Sequence, residues 1–342
     1  MNFEVYLVVF AGVFLLAVVG MPLVRKLGLR LGVMDMPDPS RRIHTVPTPR
    51  IGGVAIFLSI LAATLILQQF YNVHQLTGIL VGASLVSLMG FWDDRFTLSV
   101  GIRLAGQILA AGLMIVTGVH VQTFPYPLLN YVVTLGWIGV ITNATNFLDN
   151  MDGLSGGISA IAAAYFALMC TFTGQYLVGA LAMAVLAACV GFLIYNWNPA
   201  TIFMGDSGTL FLGFTLACIG IKLRFPENVT FVTWMVPLLV LGVPLFDMTL
   251  VVISRLRRGL NPMTTPGTDH TSHRLTYAGL SRREAVLVLY VSAFLFGLVA
   301  LFVTRASVME GFAVGIAVAT GGLYALWRLE HPPFWPPPQK RQ

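Results

Sequence analysis

Between Asn143 and Gly157 the chain reads Asn-Ala-Thr-Asn-Phe-Leu-Asp-Asn-Met-Asp-Gly-Leu-Ser-Gly-Gly, with an apolar run on either side. Carboxylates and amides are costly near hydrocarbon, so a cluster this dense marks a functional site. Asn146, Asp149 and Asn150 stand at i, i+3 and i+4 and are expected to share one helix face, with the helix ending near Gly153. Their hard oxygen donors suit magnesium. Asp93 and Asp94 close another apolar run, in Phe-Trp-Asp-Asp-Arg-Phe. Adjacent carboxylates repel and call for a cation, either Arg95 or a metal. Asp206, in Phe-Met-Gly-Asp-Ser-Gly, stands just before a further apolar helix. Asp206 or Ser207 could serve as an N-cap there. The free N–H groups of that helix start would equally suit a metal-bound phosphate.

The basic groups fall in two loops. Arg255, Arg257 and Arg258 read as an ordinary positive anchor at a membrane surface. His270, His273 and Arg274 differ, because three hydrogen-bond donors so close together fit a diphosphate. Zinc is a poor fit, since no cysteine lies in a loop. Arg41, Arg42, His44 and Arg50 form a basic strip suited to anionic headgroups or to a substrate phosphate. There is no G-x-x-x-x-G-K-[ST] loop and no nucleophilic Ser or Cys motif. Acidic and basic loops together point to phosphoryl transfer with a Mg²⁺ clamp, and a lipid substrate explains the membrane setting. The rival class is a secondary transporter, whose acids belong near the bilayer midplane. Only Asp247 is placed to lie that deep.

The elements that hold these groups are membrane helices. The chain has 342 residues, 57% hydrophobic and 10% charged, with net charge +6, whereas soluble domains carry about 25% charged residues. The fold expected is all-α and polytopic. At roughly 20 apolar residues per span, eleven spans are read at about 3–24, 51–70, 75–91, 102–119, 128–145, 155–173, 176–195, 207–222, 230–253, 284–304 and 308–327. That count puts 17 of the 20 Lys and Arg on one side, with only Lys222, Arg224 and Arg305 on the other. The positive-inside rule makes the first side cytoplasmic, with the N-terminus outside and the C-terminus inside. Eleven of the 14 acidic residues sort to the same side, which that rule does not require. One transmembrane domain over 1–330 is expected, its active site in cytoplasmic loops 25–50, 92–101, 146–154, 196–206 and 254–283. A Pro-rich tail, 331–342, should be extended and exposed. Arg25 and Lys26 follow the first apolar run, which favours a retained helix over a signal peptide. Cys170, Cys189 and Cys218 lie in apolar runs and read as packing residues, and the positive charge does not read as nucleic-acid binding.

Four motifs in order, Asp93-Asp94, Asn143-x-x-Asn146-Phe-x-Asp149-x-x-Asp152-Gly-Leu, Phe203-Met-Gly-Asp206-Ser-Gly and His270-x-x-His273-Arg-Leu, resemble the polyprenyl-phosphate N-acetylhexosamine-1-phosphate transferases. The likeness runs from His44 to about Ala285. It implies a plasma-membrane enzyme that moves N-acetylglucosamine-1-phosphate from UDP-N-acetylglucosamine to undecaprenyl phosphate and releases UMP. It further implies Mg²⁺, replaceable by Mn²⁺, no nucleic acid, contact with membrane lipids, and compatibility with a homodimer. By motif, Asp206 is the leading metal ligand and Asn146 the second. Asp94 or Asp93 orients or deprotonates the lipid phosphate. Asp149 and Asp152 face the nucleotide sugar, with Asn143, His44 and Arg50 beside substrate, and His270, His273 and Arg274 hold the diphosphate. The family's usual His-x-His-His run is broken here by Ser272. That argues against the muramoyl-pentapeptide transferase, the alternative member.

Overall fold

The computed structural model describes residues 3–36, 47–70, 74–265 and 267–335. They form two compact units, divided between Arg224 and Phe225. The first holds helices α1 (Phe3–Leu31), α2 (Gly52–Phe70), α3 (His74–Phe96), α4 (Val100–Val116), α5 (Pro127–Phe147), α6 (Leu154–Phe172), α7 (Tyr176–Asn196) and α8 (Asp206–Lys222). Strands β1 (Met34–Asp35) and β2 (Thr48–Pro49) pair antiparallel between α1 and α2. The second unit holds α9 (Thr230–Thr233), α10 (Met235–Val240), α11 (Gly242–Arg257), α12 (Thr271–Tyr277), α13 (Arg282–Val303) and α14 (Val308–Leu329).

All eleven expected apolar runs are helical, but not all as spans of full length. Among the described residues seven helices are long and apolar enough to cross a membrane, or eight if one bent pair counts as a span. Helices α2 and α4 are shorter apolar segments. The ninth run is not one helix: it breaks into α9, α10 and α11, with a bend of 73° before α11. Two prolines account for the breaks. A proline cannot donate to the carbonyl four residues back and its ring clashes with it. Pro237 lies four residues after Thr233, the end of α9, and Pro244 four after Val240, the end of α10. Pro22 inside α1 costs less, because Tyr195 Oη donates to the orphaned Val18 carbonyl at 3.0 Å.

Helix α8 is the centre of the first unit. Every residue from Asp206 to Ile221 is buried, with α3 and α5 packed against it. Trp137 Nε1 on α5 donates to the Ala217 carbonyl at 3.0 Å and fixes the register of that pair. Large apolar side chains such as Leu109, Val116, Leu128, Met309 and Ile316 are exposed, as lipid-facing positions should be.

Two expectations about the ends are corrected. Helix α5 stops at Phe147, so Asp149 and Asn150 leave the helix in a turn and do not share its face with Asn146. Asn150 Nδ2 donates to the Phe147 carbonyl at 2.9 Å and satisfies one of the carbonyls left open by that early end. Over residues 331–335 the tail turns and does not extend, although His331, Pro332 and Pro333 are exposed as expected: Phe334 N donates to the His331 carbonyl, and the Arg258 and Arg274 guanidiniums lie 4.8 and 4.3 Å from the Trp335 ring centre.

Candidate functional site

The Asp206 segment is pinned from two directions. Gly52 N and Gly53 N donate to the Phe203 and Met204 carbonyls at 2.8 Å, and Phe203 N donates to the Pro49 carbonyl at 2.8 Å. This short ladder carries Arg50 beside the start of α8. From the end of α3, Asp94 accepts from the backbone N–H of Asp206 at 2.9 Å and of Ser207 at 3.1 Å. The helix-start donators expected to face a phosphate are therefore taken. Asp94 is a tertiary N-cap, with a side chain 0% exposed. Gly205, at φ +73°, lets the chain turn in just before Asp206.

Asp206 gathers the polar groups of four other segments. Its Oδ1 accepts from Arg50 Nη2 at 2.6 Å and Asn146 Nδ2 at 3.1 Å. Its Oδ2 faces Arg103 Nη1 at 3.9 Å. Arg50 Nε also lies 3.2 Å from Asp94 Oδ1, and Arg103 Nη1 3.1 Å from Asp93 Oδ2. Asp93 Oδ1 accepts from Leu98 N at 2.6 Å, which holds the chain as it leaves α3. Asp149 stands in the turn after α5. Burial pushes its carboxyl up to about 7, Arg50 opposing the shift and Asp206 adding to it.

This set fits a divalent cation. If all are ionised, Asp93, Asp94, Asp149 and Asp206 carry four negative charges against the two positive charges of Arg50 and Arg103. A Mg²⁺ ion would close that deficit through hard oxygen donors. No three His, Cys, Asp or Glu side chains converge as a finished metal shell among the described residues. Magnesium characteristically takes one or two protein oxygens and fills its remaining positions with water and substrate phosphate. Asn146 presents Nδ2 to Asp206 and, at 2.8 Å, to Thr209 Oγ1. An amide ligates through oxygen, so service as the second ligand requires the Asn146 amide to turn over.

The remaining sequence candidates separate. Asp152 Oδ2 accepts from Asn198 Nδ2 at 2.9 Å and Ala200 N at 3.1 Å, ordering the loop before Asp206. Asn143 does not reach this cluster. It pairs with Gln107 of α4, donating at 2.7 Å, and with the Gly139 carbonyl. His44, with Arg41 and Arg42, lies outside the described residues. Arg103 escaped the sequence reading; its signal was a lone cation early in an apolar helix, nine residues after Asp94.

The histidine motif belongs to the second unit. His270 precedes α12 and His273 lies one turn on, their ring centres 6.3 Å apart. His270 Nδ1 and Thr271 N both bond the Asp247 carboxylate, at 2.8 and 2.7 Å. Asp247, the acid expected deep in the ninth run, is thus spoken for by the loop and does not read as an ion-path residue. A carboxylate accepts only, so Nδ1 carries the proton and the tautomer of His270 is set. Arg274 departs from its expected contact with the diphosphate. It is 0% exposed, donating to the Asp269 and Leu329 carbonyls and Ser254 Oγ and pairing with Glu330 at 2.8 Å. Arg255 is no simple surface anchor: it grips Asp269 with two bonds, at 3.0 and 2.8 Å, beside Arg258.

His273 is neutral at physiological pH. Burial first, then the nearby His270, lowers its pKa to about 4. Between roughly pH 6.5 and 4 the unfolded chain binds a proton that the folded chain refuses, so this residue costs stability as pH falls through that window and nothing above it. NMR titration of the ring should give a midpoint near 4; a midpoint near 6.5 would contradict its burial.

Comparison with known proteins gives a consistent set of relatives. The family described as glycosyl transferase family 4 matches residues 76–224. A probable undecaprenyl-phosphate N-acetylglucosaminyl 1-phosphate transferase of Bacillus subtilis is 36% identical, over 84% of this chain and 82% of the relative. A decaprenyl-phosphate N-acetylglucosaminephosphotransferase of Mycobacterium tuberculosis is 33% identical, over 78% and 75%. An undecaprenyl-phosphate alpha-N-acetylglucosaminyl 1-phosphate transferase of Salmonella typhi is 30% identical, over 82% and 79%.

Proposed function

Since the chain belongs to glycosyl transferase family 4, among the polyprenyl-phosphate N-acetylglucosamine-1-phosphate transferases, we propose that it transfers N-acetylglucosamine-1-phosphate from UDP-N-acetylglucosamine to undecaprenyl phosphate. The relatives' names agree on the sugar and differ on the prenyl chain. An oxygen of the lipid phosphate attacks the phosphorus that bears the sugar. The bond from that phosphorus to the bridging oxygen breaks, and UMP leaves with that oxygen. The product is a lipid diphosphate sugar.

The observation that carries this reading is the convergence of Asp93, Asp94, Asn146, Asp149, Arg50 and Arg103 on Asp206 at the start of a buried helix. Asp206 and Asn146 would hold Mg²⁺, with Mn²⁺ as substitute. A cation there would neutralise diphosphate oxygens and favour departure of UMP. A phosphomonoester has its second pKa near 6, so the attacking phosphate is already mostly dianionic at pH 7. The carboxylates therefore serve positioning more than proton removal. Asp94 holds the start of α8 and with it Asp206, while Asp93 orients Arg103. Asp149 and Asp152 are assigned to the nucleotide-sugar side, and His270 and His273 to the departing phosphate, by likeness to the family's motifs. Eleven membrane passages, an outside N-terminus and a cytoplasmic site in the plasma membrane complete the proposal, supported by the charge bias of the loops.

Purified protein with undecaprenyl phosphate, Mg²⁺ and a panel of UDP-sugars tests this. UMP should appear with UDP-N-acetylglucosamine and vanish in EDTA. Release only with the muramoyl-pentapeptide donor would overturn the donor assignment, and no release with any donor would overturn the enzyme.

A further inference from the structure

Arg50 occupies the position where a cation would be drawn. Its Nη2 bonds Asp206 Oδ1 at 2.6 Å and its Nε lies 3.2 Å from Asp94 Oδ1. The backbone at this residue cannot drift, since Arg50 N donates to the Val33 carbonyl and the residue bridges Phe203. The carboxylates cannot move out to meet a ligand either: Asp94 is 0% and Asp206 12% exposed at the side chain, against 41% for Arg50. Of the two described arginines at Asp206, Arg50 is the more exposed, 41% against 28% for Arg103, and its long side chain has room to leave. A divalent ion ligated by Asp206 Oδ1 would compete with Arg50 Nη2 for that oxygen, and the two cations repel each other at so short a range.

We propose that Arg50 is an exchangeable counter-ion: it neutralises Asp206 and Asp94 while the site is empty, yields Asp206 to the divalent cation, and turns its guanidinium to an oxygen of the incoming diphosphate. This rests on the cation reading above and adds what that reading leaves open, namely how four acidic side chains stay packed before metal and substrate arrive. The planar fork of arginine suits both jobs, bridging two carboxylates or gripping a phosphate with paired bonds. Binding of metal and of nucleotide sugar is then coupled through one side chain. The metal frees the guanidinium, and the substrate phosphate receives it.

Mn²⁺ affinity of the full-length protein in detergent, read from the EPR signal of free Mn²⁺ without substrate, tests the exchange. A unit charge a few Å from an ionisable group shifts its proton equilibrium by about tenfold or more; on the same electrostatic scale Arg50→Gln should bind Mn²⁺ about tenfold tighter than the unmodified chain. It should melt lower in EDTA and recover on adding Mn²⁺, while KM for UDP-N-acetylglucosamine rises. Arg50→Lys keeps the charge but loses the fork, and should show a smaller gain; it also serves if the glutamine variant does not fold. Equal or weaker Mn²⁺ binding in both variants would overturn the exchange and leave the cation site standing. Absence of Mn²⁺ binding in the unmodified chain and in both variants would overturn both.

Discussion

Asp206→Asn is expected to lower the rate of sugar-phosphate transfer by about three orders of magnitude or more, since loss of a metal-held charge costs several kcal/mol and each 1.4 kcal/mol is tenfold. The protein should still fold. Asparagine keeps the shape, Asp94 still caps the helix through backbone N–H groups at 2.9 and 3.1 Å, and Asn146 retains Thr209. Arg50 loses its 2.6 Å partner but keeps Asp94. The checks are steady-state UMP release and a melting curve on the same preparation. A variant that turns over normally in Mg²⁺ removes Asp206 from the chemistry, whereas one that melts like the unmodified protein and releases no UMP keeps it there.

The second large effect is steric and needs no chemistry at the altered residue. A Cβ at Gly53 would collide with Gly208 N and sit 2.9 Å from the Met204 carbonyl oxygen, both backbone atoms that cannot step aside. Gly53→Ala should force the start of α2 from the start of α8 and break the ladder that presents Arg50. Overpacking of this kind costs about 1–3 kcal/mol, and more where backbone meets backbone. Loss of transfer with Asp206 intact and a lowered melting temperature are expected. Gly101→Ala is the control: a Cβ there meets nothing within 4 Å, and alanine in a helix gains about 0.5–1 kcal/mol over glycine. Similar behaviour of the two variants would mean that the contact between α2 and α8 does not hold the site.

What the sequence made legible follows from range. Apolar runs of spanning length are local, and each of the eleven became helix. The break in the ninth run is also local: Pro237 and Pro244 stand inside it, and hydropathy alone does not register them. Asp94 could not be seen as a cap, because its acceptor geometry depends on where α8 begins, 112 residues later. Arg274 shows the limit of spacing arguments. It stands four residues after His270, a helical interval, yet its side chain is long enough to turn to Leu329 and Glu330. Asp247 stands out in the sequence only for its depth in the ninth run, and its bond to His270 spans 23 residues that no periodicity links.

The central claim is that the bond broken lies between the two phosphorus atoms, so that sugar and phosphate travel together. UDP-N-acetylglucosamine carrying ³²P at the phosphorus next to the sugar tests this in one incubation with undecaprenyl phosphate and Mg²⁺. The account predicts that the label passes into the lipid extract while the nucleotide released is unlabelled UMP. Label retained in water-soluble UDP, with sugar alone on the lipid, would contradict it.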